Sequence, residues 1–87
     1  MRRYTRDHQV IRTWAEARGA RPARVKGTQV LRLVFDRMSP NWESIGWDQF
    51  FTLFDGSGQS FLYDDSPNSR ICKLTKGEQS GPIQLGS

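Results

Sequence analysis

Trp47, Phe50, Phe51 and Phe54 stand at i, i+3, i+4 and i+7. A strand would scatter them over both of its faces, whereas a helix of roughly 3.6 residues per turn gathers all four into one aromatic stripe. The spacing therefore predicts a short amphipathic helix. Gly46 is its expected N-cap, Gln49 occupies its third helical position, and Ile45 before the cap can pack on Phe50 as a hydrophobic staple. Asp55-Gly56-Ser57-Gly58 ends it. So short a helix does not hold its shape alone in water, so the rest of the chain must supply an apolar layer against the stripe.

A first helix is read over residues 7–18, where Val10, Ile11, Trp14 and Ala15 share a face and Arg6, Arg12, Glu16 and Arg18 lie elsewhere on the circle. Thr5 is its expected cap, and Gly19 sits where a left-handed C-terminal residue is wanted. Pro22 stops the helix from resuming. Residues 23–26 and 30–35 then read as a hairpin around Gly27-Thr28-Gln29, with Leu31, Leu33 and Phe35 toward the core and Val30, Arg32 and Val34 outward. Residues 38–44 read as a polar connection. A second strand pair is expected over 60–64 and 70–75, joined by Asp65-Ser66-Pro67-Asn68-Ser69, a run of turn formers. The order αββαββ makes an α+β fold the economical solution: a four-stranded, mainly antiparallel sheet with two helices on one face. Each αββ half carries a Trp-bearing helix, but no side-chain motif is shared beyond that.

At 87 residues the chain suits one domain, expected over 1–75. Residues 76–87 contain three Gly, one Pro and only Ile83 and Leu85 as aliphatics, so they are expected to form a flexible C-terminal tail. A single cysteine, Cys72, excludes an internal disulfide framework and a cysteine-rich zinc site. The longest apolar runs are three residues or fewer, so neither a membrane span nor a signal peptide is expected. Those features set the expectation of a cytoplasmic protein without membrane partners.

Charge is divided unevenly. Through Arg37 the chain carries ten Lys and Arg against three carboxylates, or +7, and beyond it three against six, or −3. Such a dipole can steer an acidic partner to the N-terminal half. The densest cationic stretch is Arg18, Arg21, Arg24 and Lys26, and Arg32 should point outward from the adjacent strand. Trp42, in the polar connection, is the aromatic expected to be most exposed, and an exposed Trp is a common interface anchor. Together these six residues form the candidate binding surface. The expected function is a small non-catalytic protein-binding module that meets an acidic protein partner or a second copy of itself. The alternative is a nucleic-acid-binding module using Arg21, Arg24, Lys26 and Arg32 against phosphates.

Catalytic chemistry finds little support. His8 and Cys72 are the one conventional nucleophile-base pair, but His8 falls in an exposed first helical turn and Cys72 inside a strand. Asp64 and Asp65 are adjacent in a strand and so point to opposite faces, whereas glycosidic chemistry needs two carboxyl groups facing one cleft roughly 5 to 10 Å apart. Asp55-Gly56-Ser57-Gly58 has no following Lys or helix to cradle a phosphate. No enzyme activity, cofactor or metal is expected.

Several blocks occur together in one order. They are Asp7-His8, Ile11, Trp14-Ala15-Glu16, Arg18-Gly19, Pro22-Ala23, Val25 and Gly27-Thr28, then Ile45, Trp47-Asp48, Phe50-Phe51 and Phe54-Asp55, then Phe61-Leu62-Tyr63, Ser69-Arg70 and Lys73-Leu74. This arrangement resembles a family of short uncharacterised bacterial proteins, many labelled 1,4-alpha-glucan branching enzyme. The resemblance implies a shared small fold and supplies no catalytic residues. The label does not suit this chain, since a branching enzyme is built on a (β/α)8 barrel of roughly 250 residues.

Overall fold

The computed structural model describes residues 1–76. Eight elements follow one another there: β1 (Arg2–Thr5), α1 (His8–Ala17), β2 (Arg21–Val25), β3 (Leu31–Val34), β4 (Trp42–Ser44), α2 (Trp47–Gly56), β5 (Gln59–Asp64) and β6 (Cys72–Lys76). The α+β class holds. The sheet arrangement differs from the expectation: instead of one four-stranded sheet there are two antiparallel three-stranded sheets, ordered β1-β5-β6 and β3-β2-β4. Lys76, expected to open the tail, instead pairs with Gln59 in β6, and the remainder of the expected tail lies outside the described residues.

Two short strands account for the change. β1 reads Arg-Arg-Tyr-Thr and pairs with β5 from Arg2 opposite Asp64 to Thr5 opposite Phe61. Its exposed edge carries no apolar alternation, so its sequence resembles a basic leader. β4 is three residues long and pairs with β2 from Val25 opposite Trp42 to Ala23 opposite Ser44. Its Trp42 is half-buried rather than displayed from a loop.

The helix termini show local chemistry at work. Asp7, not Thr5, caps α1: its carboxylate accepts from the Gln9 and Val10 N–H groups at 2.9 and 3.3 Å. Thr5 stands one step back, its hydroxyl accepting from the Asp7 N–H at 3.0 Å. At the other end Gly19 takes φ +75°, which lets the Ala20 N–H reach the Ala15 carbonyl at 2.8 Å and the Gly19 N–H reach Glu16 at 3.2 Å. The chain then leaves α1 directly into β2. Gly46 caps α2 as expected.

Ile11, Phe50, Phe54 and Phe61 are fully buried at the centre, with Trp14, Leu31, Phe51 and Tyr63 around them. Trp14 meets Phe35, Phe61 and Tyr63 edge-on at 6.1, 5.5 and 6.0 Å between ring centres, a favoured geometry for aromatic pairs. Trp47 does not join this centre. It lies in the first turn of α2, half-buried, its ring against those of Phe50 and Phe51.

β3 and β4 both run antiparallel to β2 and flank it, so they are parallel to each other and their connection, residues 35–41, must cross a face of the sheet. Leu31 and Leu33 face the core, where α2 packs, so the crossing takes the opposite face. This explains why Ala23 and Val34, on that opposite face, are as buried as core residues. Val34 thus keeps the face that the alternation gives it, but is buried there. Ala23 is fully buried, so Ala23→Leu should cost about 1 to 3 kcal/mol by overpacking. A urea midpoint unchanged by that substitution would show the crossing to be loosely seated.

Candidate functional site on the outer face of the β3-β2-β4 sheet

Directly opposed residues in an antiparallel pair share a face. Arg21 pairs with Val34, Ala23 with Arg32 and Val25 with Trp42, so Arg21, Arg32 and Trp42 all lie on the outer face, away from the core. The Arg32 guanidinium carbon sits 5.8 Å from the centre of the Trp42 ring, within cation–π range. Arg32 also donates to the Leu31 carbonyl at 3.1 Å, and Arg21 reaches the Asp36 carbonyl at 3.4 Å. Neither has a carboxylate partner among the described residues.

The other three candidates are placed elsewhere. Arg24 lies on the core side of β2 and forms an ion pair with Glu43 of β4. Lys26 is exposed just past the end of β2, where its N–H donates to the Asn41 carbonyl at 2.8 Å. Arg18 turns away from the sheet altogether: it donates to the carbonyls of Ser69, Ser66 and Trp14 at 2.6, 2.7 and 3.1 Å, with its guanidinium 4.4 Å from the Trp14 ring centre. The run Arg18, Arg21, Arg24, Lys26 is dense in sequence and dispersed in space.

Nearly every described carboxylate is engaged. Asp7 caps α1, Glu16 pairs with Arg12, Asp36 with Arg70, Glu43 with Arg24, and Asp55 with His8. Asp64 and Asp65 both receive the Met1 amino group, and Asp65 also pairs with Arg3. The surplus positive charge is thus left on residues such as Arg21 and Arg32. The sequence reading missed the burial of Val34 on this face, because strand alternation alone leaves it open to solvent.

The chemical candidates remain separate. His8 stacks on Phe51 with ring centres 4.1 Å apart, and its Nε2 lies 2.9 Å from the Asp55 carboxylate. Cys72 stands on β6 opposite Tyr63, where burial pushes its thiol up to about 11 and keeps it protonated. No cluster of three or more potential metal ligands occurs among the described residues. No described helix is long and apolar enough to cross a membrane.

The Ser66 N–H and the Met1 amino group hold the Asp64 carboxyl below the usual carboxylate range. Arg3 and the same amine do so for Asp65, and the two carboxylates in turn raise the amine. Lowered carboxyl values favour the folded state above the ordinary range near pH 4, and that contribution is lost as pH falls below it. The raised amine contributes below its ordinary value of 8.0 and loses its contribution as pH rises through the raised one. The melting temperature should therefore fall in acid and, more gently, in alkali. The raised Cys72 thiol contributes to the alkaline arm as well, so acetylating Met1 should weaken that arm without abolishing it; an alkaline arm unchanged by acetylation would dismiss this cluster as one of its origins.

No family model, no curated protein and no solved structure matches this chain.

Proposed function

We propose that this chain is a non-catalytic protein-binding module whose outer β3-β2-β4 face meets an acidic protein surface. The observation that carries this reading is the joint placement of Arg21, Arg32 and Trp42 on one sheet face, with both cations free of carboxylate partners among the described residues. Arg and Trp are the residue types that most often dominate protein interfaces, and a guanidinium already held near an indole loses less side-chain entropy when it meets a carboxylate. A nucleic-acid surface draws less support: of the cations grouped in sequence, Arg18 is occupied by three carbonyls and Arg24 by Glu43. That leaves few charges for the several phosphate contacts on which tight binding depends.

The test is charge reversal at Arg21 and Arg32. Exposed substitutions of this kind typically change stability by less than about 0.5 kcal/mol, so the fold should survive. The double variant should lose the protein partner that the unaltered chain captures from its own cell lysate, while duplex DNA binds both forms weakly and is released at physiological salt. Submicromolar DNA or RNA binding at physiological salt, lost in the variant, would replace this reading with the nucleic-acid one. A mass that doubles with concentration and reverts in the variant would make the acidic partner a second copy.

A further inference from the structure

β3 and β6 are edge strands of different sheets, and they lie side by side. Arg70, just before β6, reaches Asp36 at 3.5 Å and stacks 5.5 Å from the Phe35 ring centre, just past the end of β3. Leu31, at the start of β3, lines the same groove as Leu74 near the end of β6. The two strands therefore run antiparallel, yet they do not pair.

Register shows what each edge offers. Val25 bonds Val30, and hydrogen-bonded pairs alternate along an antiparallel ladder, so Leu31 and Leu33 turn their N–H and C=O groups away from β2. Asp64 bonds Ile71, and the same alternation turns those of Cys72 and Leu74 away from β5. All four residues line the groove between the strands, over a floor that includes the buried Phe61. Their side chains share the core side. Arg32 and Lys73, between them in sequence, point to the outer side, and neither has a carboxylate partner among the described residues.

We infer that the β3/β6 groove binds an extended, acidic peptide segment of a partner protein, inserted as a strand that joins the two sheets. Its backbone would bond Leu31 and Leu33 on one side and Cys72 and Leu74 on the other, antiparallel to one edge and parallel to the other. The Leu31 carbonyl already accepts from the Arg32 guanidinium at 3.1 Å and would offer the segment its second lone pair. Strand alternation then fixes its side chains. Residues facing inward meet Leu31, Leu33 and Leu74 and must be apolar; residues facing outward pass between Arg32 and Lys73 and are best as carboxylates. The preferred segment alternates apolar and acidic residues. This site shares Arg32 with the outer-face surface but uses neither Arg21 nor Trp42, so it does not depend on the role proposed for that face.

The probe is a fluorescein-labelled peptide of alternating Val and Glu, titrated into the full chain by anisotropy and followed by amide exchange. Binding should slow exchange at Leu31, Leu33, Cys72 and Leu74. Lys73→Glu should weaken it by about tenfold, and so should methylation of alternate peptide nitrogens, each removing a contact that only the inserted strand makes. Arg21→Glu should leave it unchanged, since Arg21 does not line the groove, so the two proposed surfaces can fail independently. No binding at millimolar peptide, or equal binding of a Val and Lys peptide, would overturn the inference. So would protection of β3 and β6 that grows with protein concentration without peptide, which assigns the groove to a second copy. Binding seen only after residues 77–87 are deleted would assign it to the chain's own C-terminus.

Discussion

Trp14→Ala is expected to leave the domain largely unfolded at room temperature. Truncating a buried aromatic costs about 3 to 5 kcal/mol, and small domains sit at the low end of a total stability of roughly 5 to 15 kcal/mol. Trp14 has further work than filling volume. Its indole N–H donates to the Asp64 carbonyl at 2.8 Å, joining α1 to the end of β5, and its ring supports Arg18. Removing it also leaves that carbonyl without its protein donor, which adds about 1 to 3 kcal/mol if water cannot reach the site. Trp14→Phe separates the two contributions, since it keeps most of the aromatic contact with Phe61 and Tyr63 and deletes only the donor. The Phe variant should therefore melt between the wild type and the Ala variant. Trp47→Ala, at a half-buried position, should be milder than Trp14→Ala. A Trp14→Ala protein that still melts cooperatively within a few degrees of the wild type would show that the core does not rest on this residue.

The difference between the two tryptophans marks how far the sequence could be read. Helical periodicity identified both stripes, and Phe50, Phe51, Phe54, Ile11 and Trp14 are buried as the spacing requires. Periodicity has no information about which turn of a helix reaches the centre of the fold, so it gave Trp47 the same standing as Phe50. The strands β5 and β6 and the hairpin of β2 and β3 were legible because their alternation and their turn residues agree. β1 and β4 were not, since a short edge strand is held by partners remote in sequence and needs no apolar alternation of its own. Missing them had consequences for the site. Without β4, Trp42 looked like a loop aromatic, and without the crossing of residues 35–41 Val34 looked exposed.

The candidate basic edge shows the same limit with charges. A count of cations cannot tell which of them are occupied, and Arg18 is the clearest case. Its fork meets three carbonyls, two of them in the turn that joins β5 to β6, while its flat face rests on Trp14. Hydrogen bonds from a charged donor contribute roughly 1.5 to 3 kcal/mol each, and those here are only partly shielded from water, so Arg18→Ala should cost about 2 to 4 kcal/mol in total. Arg18→Lys keeps the charge but has no planar fork to span carbonyls on two elements, and it should recover little of the loss. Reversing Arg21, which holds only one long contact to the Asp36 carbonyl, should change stability far less. The comparison distinguishes a structural cation from one available to a partner. In Arg18→Ala, amide exchange should quicken first at Ser69 and its neighbours in the turn, ahead of global unfolding. If instead Lys restores full stability, or the turn exchanges no faster than in the wild type, charge alone would account for Arg18 and it would return to the candidate binding surface.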